Sequence, residues 1–323
     1  MKAAVLTGYG PPDVVRVTEV DEPKVGDKDL LVRVHVTTVN RTDCGFRAAR
    51  PFVVRLVTGI IRPRRKILGT EFAGVVERVG PGVTGFAVGD RVFGYNEGRF
   101  GAHAEYLSIP EGGGIATIPD GVAFVEAAAA SEGSHYALSM VEGARARNGR
   151  AVLVYGATGA IGSAAVQLLK ARGATVTAVC DTANMELVRS LGADRVIDYT
   201  VQDFTEDEQT YDAVLDTVGK STFGRCKRLL KPDGVFMSSD LGPRGQNLVL
   251  PLTTRLRKGR RVKFPMSRQG RKMVLYFREK IESGEFRPVI DRHYPLDRIV
   301  DAYEYVDSER KIGNVVIDVV PQD

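Results

Sequence analysis

The sequence of 323 residues has little cysteine, and it lacks any apolar run long enough to cross a membrane. Cys44, Cys180 and Cys226 are scattered and odd in number, so they predict neither a disulfide framework nor a metal knuckle. This usage is typical of a reducing compartment. The first residues lead directly into a strand-like pattern, without the apolar region of a signal peptide. We therefore expect a cytoplasmic protein with no membrane insertion.

Acidic residues are missing from two basic segments, although the formal net charge of the chain is only +5. Residues 47–66 hold seven lysines and arginines, and residues 255–272 hold nine. Such clusters could contact an acidic group, such as a coenzyme A phosphate, or nucleic acid. Because the net charge is modest, solvated surface charge is the favoured interpretation, and nucleic acid is a disfavoured partner.

The chain does contain a strand, a glycine loop and a helix in succession. Residues 152–155 form a short apolar run, and residues 163–172 are rich in helix formers. Between them lie Gly156, Gly159 and Gly162. In such a loop the first glycine permits a tight turn, the second lets a pyrophosphate approach, and the third lets helix and strand pack closely. The succession predicts a dinucleotide site, and the alternative is a turn whose glycines serve packing only.

Further cofactor contacts follow from the strands around this loop. Asp181 ends the second strand, nineteen positions after Gly162, where a carboxylate can bond ribose hydroxyls. The alternative is that Asp181 caps the next helix. The remaining candidates are loop residues and residues at the carboxyl ends of later strands: Thr158, Ala160, Ile161, Val218, Gly219, Ser239, Asp240 and Leu241.

The predicted secondary structure changes near residue 121. Before it, short strands with glycine turns predict a β-rich partial barrel. After it, strands and helices alternate, which predicts an α/β doubly wound parallel sheet. The predicted strands are 151–155, 174–180, 195–199, 211–218, 235–240 and 260–265, and the predicted helices are 125–142, 162–172, 184–191, 221–231 and 268–283. For the tail we expect an extended segment 288–294, a helix 296–306 and a strand 312–320, and for residues 253–261 a loop.

Taken together, the motifs resemble the medium-chain dehydrogenase/reductase superfamily, and within it the zinc-independent quinone oxidoreductase-like branch. The segments that carry the resemblance are 39–43, 69–77, 89–93, 100–106, 156–162, 191–199, 215–219 and 311–316. The resemblance implies a Rossmann dinucleotide-binding domain, 122–287, inserted in a GroES-like substrate-side domain, 1–121 with 288–323. It also places the active site in the cleft between the two domains.

The resemblance implies a hydride transfer from NAD(P)H to a small hydrophobic quinone or α,β-unsaturated carbonyl compound, by a homodimer. The apolar residues 52–61 are either a lid for such an acceptor or a packed helix. Two alternatives stay open. One is an alcohol or aldehyde dehydrogenase, and the other is a crystallin-like or nucleic-acid-binding protein with a vestigial cofactor site.

Zinc is not expected. Zinc-dependent members of the superfamily have cysteine at the position of Asn40, histidine at that of Thr70, and usually cysteine near Glu132. Asparagine and threonine are poor zinc ligands, and Glu132 alone could not hold the ion. The cysteine-rich structural lobe is also missing, since 93–115 contains no cysteine. The histidines are expected to be structural or exposed: His35, His103, His135 and His293.

The resemblance also suggests catalytic and cofactor residues. Thr42 matches a proton-relay hydroxyl, and Asn40 and Asp43 match positions that line the substrate cleft. Alternatively, Thr42 and Asp43 belong to a locally capped turn. Tyr136 either bonds a substrate oxygen or is buried for packing, and water is a third source of the proton.

Cofactor choice is where the chain departs from many relatives of this branch. Those relatives end the second strand in Ser or Asn and place Lys or Arg two positions later, whereas this chain has Asp181 and Ala183. We therefore expect NADH to be preferred, with NADPH as the alternative. By resemblance, Tyr199 lies near the adenosine and Asn314 near the phosphates.

Overall fold

A computed structural model describes residues 1–52, 54–255, 259–265 and 270–320. The chain separates into two compact units, the first formed by Met1–Glu132 with Gln269–Asp323 and the second by Gly133–Arg268. The expected boundaries, at 121/122 and 287/288, differ from these. Segments near both junctions pack within the first unit, where Arg278 Nε donates to the Thr117 carbonyl (3.0 Å) and Arg271 to the Glu111 carbonyl (3.0 Å).

The elements are as follows. The strands are β1 (Lys2–Leu6), β2 (Val15–Glu19), β3 (Asp29–Val39), β4 (Glu71–Val79), β5 (Arg91–Tyr95), β6 (Tyr106–Pro110), β7 (Ile115–Thr117), β8 (Ala151–Tyr155), β9 (Thr175–Cys180), β10 (Arg195–Asp198), β11 (Tyr211–Asp216), β12 (Leu230–Ser238), β13 (Arg261–Lys263), β14 (Ile290–Pro295) and β15 (Asn314–Asp318). The α-helices are α1 (Arg41–Ala48), α2 (Val54–Thr58), α3 (Phe124–Ala128), α4 (Glu132–Gly143), α5 (Ala160–Ala171), α6 (Met185–Ser190), α7 (Phe223–Cys226), α8 (Gln246–Arg255), α9 (Arg271–Glu282) and α10 (Ile299–Asp307). Short 3₁₀ helices cover Pro12–Val14, Thr182–Asn184, Phe204–Glu206, Lys227–Leu229, Pro243–Gly245 and Leu296–Arg298.

The first unit is built on a seven-stranded sheet centred on the long strand β3. The order is β14-β15-β3-β4-β5-β7, with β6 also paired to β3, and β1 and β2 form a separate antiparallel pair. On one edge of β3 lies β4, while the other edge is shared by β6 at its start and β15 at its end. Leu30, Val32 and Val34 occupy alternate positions of β3, and their side chains are buried in a core that also contains Phe72 and Ile115. This is the β-rich, GroES-like architecture that the sequence predicts.

The second unit is a six-stranded sheet in the order β10-β9-β8-β11-β12-β13, and each strand runs parallel to its neighbours. The Val- and Leu-rich strands are buried, as strands covered on both faces must be. The order confirms the predicted doubly wound sheet. After β8 the chain continues to β9 on one side and later returns to β11 on the other, so β8 adjoins the switch point where such sheets bind ligands.

Two predicted helices differ from the observed ones. The predicted helix 125–142 is divided into α3 and α4, because the amides of Ser131 and Glu132 bond the Glu71 side chain instead of helix carbonyls. The predicted helix 221–231 is only α7 and a 3₁₀ turn, since β12 already begins at Leu230. Residues 232–234, between the predicted helix 221–231 and the predicted strand 235–240, form a bulge within β12, with Asp233 at a φ of 65°.

The basic and apolar segments also differ from expectation in part. The start of the predicted loop 253–261 belongs to α8, while residues 256–258 lie outside the described residues. The predicted helix 268–283 is described from Arg271, as α9. Of the described residues in the apolar segment 52–61, those of α2 are helical. Among the helices of the described part of the chain, none is long and apolar enough to span a bilayer.

Candidate active site

The glycine loop follows β8 at the carboxyl edge of the second unit's sheet. Gly156 adopts a φ of 81°, which glycine tolerates and most residues do not. A β-carbon on Gly162 would lie 2.1 Å from the Gly156 carbonyl oxygen, so helix α5 approaches the loop too closely for any side chain. A β-carbon on Gly159 would meet nothing nearer than 3.7 Å. Packing therefore requires the third glycine, whereas the second leaves open space before the amino end of α5.

A buried carboxylate, Asp216, organises the neighbouring loop at the end of β11. It accepts hydrogen bonds from the amides of Gly219 (2.8 Å) and Ser221 (3.0 Å). A β-carbon on Gly219 would lie 2.5 Å from the β-carbon of Asp240, and one on Gly156 would lie 2.8 Å from that of Val218. The loops after β8, β11 and β12 therefore converge. The sequence reasoning missed the role of Asp216, although it lies inside the motif 215–219.

Asp181 lies at the end of β9 and caps the following 3₁₀ helix. Its Oδ1 accepts hydrogen bonds from the Asn184 amide (3.1 Å) and the Asn184 side-chain nitrogen (2.6 Å). This is the capping role that the sequence left as the alternative. It does not exhaust the acceptor capacity of a carboxylate, which has about four lone-pair sites. Tyr199, half exposed after β10, lies near enough that burial and the Asp181 charge both raise its pKa.

In the first unit, Asn40 and Asp43 form a capping box at the amino end of α1. Asn40 Oδ1 accepts from the Asp43 amide (2.9 Å), and the Asn40 amide donates to Asp43 Oδ2 (3.2 Å). Asn40 Nδ2 donates to Thr70 Oγ1 (2.9 Å), and the Gly69 amide donates to Asp43 Oδ1 (3.1 Å). The two positions that hold zinc ligands in zinc-dependent relatives thus bond each other. Among the described residues, no group of three His, Cys, Asp or Glu side chains is placed to hold a metal ion.

Thr42 connects this turn to two buried glutamates. Its hydroxyl donates to Glu132 Oε1 over 2.6 Å. Glu71, fully buried at the start of β4, accepts the Glu132 amide (2.6 Å) and the Ser131 amide (3.0 Å) through Oε1. Glu71 Oε2 accepts the Thr38 hydroxyl (2.5 Å). The half-buried Thr42 hydroxyl is therefore bonded to the buried carboxyl of Glu132, whose backbone amide is in turn held by Glu71.

The electrostatics of this cluster favour a stored proton. Burial, reinforced by Glu71, raises the pKa of Glu132 to about 7, although the Thr42 bond and Lys311 act in the opposite direction. Burial also raises the pKa values of Glu71 and Asp43. It lowers the pKa of the Lys311 ammonium, whose Nζ donates to the Gly313 carbonyl (2.5 Å). Burial together with the neighbouring Glu71 therefore favours the protonated form of Glu132.

Neither Glu71 nor Lys311 was a candidate from the sequence, although both lie in motifs that carry the resemblance. Their importance depends on burial and on contacts between distant strands, which no local pattern reveals. Glu132 was considered only as a zinc ligand.

The histidines serve structure or lie at the surface. His103 is buried, its Nε2 bonds the Thr38 carbonyl (2.8 Å), and its Nδ1 bonds the Tyr303 hydroxyl (3.2 Å). Burial lowers its pKa to about 4, so it is neutral at physiological pH. The ring of His35 stacks on Phe124 (4.5 Å between centroids), and His293 pairs with Asp318 (3.1 Å).

Two remaining candidates belong to a different unit from the residues with which the sequence grouped them. Tyr136 follows Glu132 by one helical turn in α4 but belongs to the second unit, and its ring lies 4.2 Å from that of His135. Asn314 belongs to the first unit, whereas the glycine loop belongs to the second. Its Nδ2 donates to the Val289 carbonyl (3.0 Å), so that nitrogen serves the tail of the first unit.

Comparison with known proteins shows which family the chain belongs to. A family model described as alcohol dehydrogenase GroES-like domain matches residues 26–120, and one described as zinc-binding dehydrogenase matches residues 191–317. The chain is 31% identical over 335 residues to a 2-methylene-furan-3-one reductase of Solanum lycopersicum, covering 99% of this chain and 80% of that protein. The chain belongs to the medium-chain dehydrogenase/reductase superfamily.

Other members of the superfamily agree with this assignment. An NADPH-dependent alkenal/one oxidoreductase of Arabidopsis thaliana is 29% identical over 339 residues, covering 99% of this chain and 80% of that protein. The solved structure of a quinone oxidoreductase from Coxiella burnetii superposes with a TM-score of 0.89 at 25% identity, covering 99% of both chains. This chain is an NAD(P)H-dependent oxidoreductase.

Proposed function

We propose that this oxidoreductase reduces α,β-unsaturated carbonyl compounds or quinones with NAD(P)H and without zinc. The observation that carries the proposal is the hydrogen bond from Thr42 to Glu132 (2.6 Å), which sets a hydroxyl and a proton-holding carboxyl beside the Asn40–Thr70 pair. Support also comes from the relatives, since the tomato and Arabidopsis proteins are named as reductases of conjugated ketones or alkenals and the Coxiella protein as a quinone oxidoreductase.

The cofactor would be held along the carboxyl edge of the second unit's sheet. Ala160 and Ile161 are the first two residues of α5, and their backbone amides would bind the pyrophosphate beside Gly159. Asp181 would accept ribose hydroxyls, with Tyr199 nearby at the adenosine end. The loops with Thr158, Val218–Gly219 and Ser239–Leu241 would border the rest, and Asn314 would lie near the phosphates. When bound, the reduced nicotinamide supplies a hydride.

The proton that completes the reduction would come from Thr42. As the β-carbon of an enone gains the hydride, the double-bond electrons move toward the carbonyl, and the acceptor takes one proton from the Thr42 hydroxyl. For this transfer the protonated Glu132 donates the shared hydrogen bond to Thr42 Oγ1, so that Thr42 takes this proton as it loses its own, and solvent later reprotonates the carboxyl. A quinone needs the same hydride and proton to become a hydroquinone. Tyr136 would bond the carbonyl or quinone oxygen, while Asn40 and Asp43 fix the turn that carries Thr42.

Zinc has no role in this proposal because the donor set does not suit it. An asparagine amide and a threonine hydroxyl are weak zinc ligands, and here they are bonded to each other. Without a Lewis acid, oxidation of an unactivated alcohol is harder than reduction of an acceptor that is already electron-poor. A homodimer, a cytoplasmic location and the absence of a nucleic-acid partner remain predictions from the sequence.

The experiment that tests the proposal is an acceptor panel. Consumption of NADH and of NADPH is followed with small quinones, cyclic enones and alkenals, and the reverse reaction is followed with primary and secondary alcohols. We expect turnover with enones or quinones. Turnover confined to alcohols and aldehydes would instead assign an alcohol dehydrogenase. Absence of turnover together with salt-sensitive RNA binding would assign the non-enzymatic alternative.

A further inference from the structure

A second concave site lies in the second unit, at the amino edge of its parallel sheet. It is a cavity of about 310 Å³, and its lining includes Arg145, Arg150, Asp212, Asp233, Arg261 and Lys263. Arg150 directly precedes β8, Asp212 lies at the start of β11, and Arg261 begins β13. The glycine loop follows the carboxyl end of β8. The cavity is therefore at the opposite edge of the sheet from the proposed cofactor site.

The charges around this cavity are unbalanced. Four cationic side chains and two carboxylates line it. Asp212 is already engaged, because it accepts hydrogen bonds from Lys231 (2.9 Å), Arg150 (3.3 Å) and the Ala151 amide (2.9 Å). Arg145 and Arg261 are exposed, and neither has an acidic partner within ion-pair distance among the residues that the structure describes. Two guanidinium groups thus remain for a ligand.

Lys263 lies close enough to the other cations of the cavity for their charges to affect its pKa. Its Nζ donates to the Gly143 carbonyl over 2.7 Å, which fixes the ammonium at the cavity wall. Its pKa is lowered first by burial and then by the charges of Arg145, Arg261 and Arg150. A bound anion would relieve the repulsion, and guanidinium groups suit phosphate oxygens in particular.

We propose that this cavity binds a small anion that carries a diphosphate group. The number of cations favours two phosphate groups over one, and the volume lies at the lower end of the range for small-molecule pockets. Asp212 and Asp233 in the lining interrupt the basic surface, which disfavours an extended nucleic-acid strand. The site also gives a role to part of the basic segment 255–272, for which the proposed reaction has no use.

Pyrophosphate titrated into the full-length protein at low ionic strength tests the proposal, with calorimetry and the melting temperature as readouts. We expect one saturable site per chain and a melting temperature that rises with ligand concentration. The double variant Arg145→Gln/Arg261→Gln should weaken binding about tenfold or more, because two charge-assisted contacts are lost. Its ligand-free stability should not fall, since the substitutions remove repulsion. Arg189→Gln, at an arginine of α6 that pairs with Glu186, is the control and should bind normally.

Competition separates this site from the cofactor site. Saturating NADH should leave pyrophosphate binding unchanged, and the double variant should keep the wild-type KM for NADH. The proposal is overturned if the wild-type protein shows no saturable binding, if the double variant binds as well as the wild type, or if NADH displaces pyrophosphate. Tighter binding of an RNA homopolymer than of pyrophosphate, lost in the same variant, would instead assign the patch to nucleic acid.

Discussion

At the scale of single residues, the proposed chemistry depends on one proton held between Thr42 and Glu132. A hydroxyl can pass on a proton repeatedly only if the group behind it restores that proton. Glu132 is suited to this because its pKa is raised to about 7, first by burial and then by Glu71. Thr42 alone, with an ordinary hydroxyl, would have no such supply.

The first prediction concerns Glu132→Gln. Glutamine can still accept the Thr42 hydrogen bond, but it holds no transferable proton. We expect kcat to fall by about 10²–10⁴-fold where proton transfer limits the rate. In the wild type, the active protonated form is lost as pH rises through about 7, so kcat/KM should decline on that side. The variant should lack this decline, because it no longer carries the carboxyl whose pKa is raised to about 7.

Thr42→Val and Tyr136→Phe provide the matched comparison. Thr42→Val should reproduce the loss of kcat, whereas Tyr136→Phe should mainly raise KM if the phenol only bonds the acceptor oxygen. In both variants, a solvent isotope effect on kcat should persist as long as proton transfer limits the rate. Wild-type kcat in both Thr42→Val and Glu132→Gln, with chemistry shown to limit the rate, would mean that water donates the proton.

The second residue-scale prediction concerns Asp181. Its carboxylate would accept ribose hydroxyls but repel the additional phosphate of NADPH, so we expect NADH to have the higher kcat/KM. A difference of about 1.4 kcal/mol corresponds to tenfold. Asp181→Ser with Ala183→Lys should shift the preference toward NADPH. Serine at 181 can still accept the Asn184 amide bond, so the cap should survive. A wild-type enzyme that uses NADPH ten times better would contradict this account.

At the scale of elements, the roles of two glycines in the strand–loop–helix unit around β8, cofactor binding and packing, can be tested separately. Gly159→Ala meets no atom nearer than 3.7 Å, and its φ of −70° suits alanine. We expect a loss of stability of at most about 1 kcal/mol from the weaker cap, with a raised KM for the cofactor. Gly162→Ala would place a β-carbon 2.1 Å from the Gly156 carbonyl oxygen and should destabilise the fold by about 1–3 kcal/mol or more.

Chemical denaturation and cofactor titration of the two variants check this prediction. The expected pattern is a stable Gly159→Ala protein that binds NADH weakly and a destabilised Gly162→Ala protein. Equal NADH affinity for Gly159→Ala and wild type would indicate that no phosphate approaches this position.

The elements also show where sequence patterns succeed and where they do not. Strands β8, β9 and β11 are buried apolar runs bounded by turn residues, so their bounds could be read locally. The break between α3 and α4 could not, because its cause is the Glu71 side chain on a strand about sixty residues away. In the same way, α7 is short because Leu230 already pairs with Tyr211 in the sheet. Tertiary pairing overrode local helix propensity in both places.

At the scale of the whole molecule, the sequence predicted two architectures and their order, while the site was predicted only in part. Asn40, Thr42 and Asp43 share one turn, as their spacing implies. Glu71, Glu132 and Lys311 come from distant parts of the chain, and only the folded first unit brings their charges within range of one another. Spacing along a chain cannot reveal such a cluster, because its members share no local period.

The absence of zinc is a prediction at this scale. Because Asn40 and Thr70 bond each other and are poor ligands, we expect elemental analysis to find no stoichiometric zinc after chelator treatment. Activity should be unaffected by the chelator. About one zinc per chain, with activity lost on its removal and restored by adding it back, would overturn this part of the account.

The central claim is that the protein transfers a hydride from a reduced nicotinamide to an activated acceptor while its own residues supply the proton. The most direct measurement is a product analysis of cyclohexenone reduction with cofactor deuterated at the transferred position, repeated with unlabelled cofactor in deuterated water. We predict one deuterium at the β-carbon in the first experiment and one at the α-carbon in the second. Reduction of the carbonyl to an allylic alcohol, or absence of cofactor-derived deuterium from the product, would contradict the account.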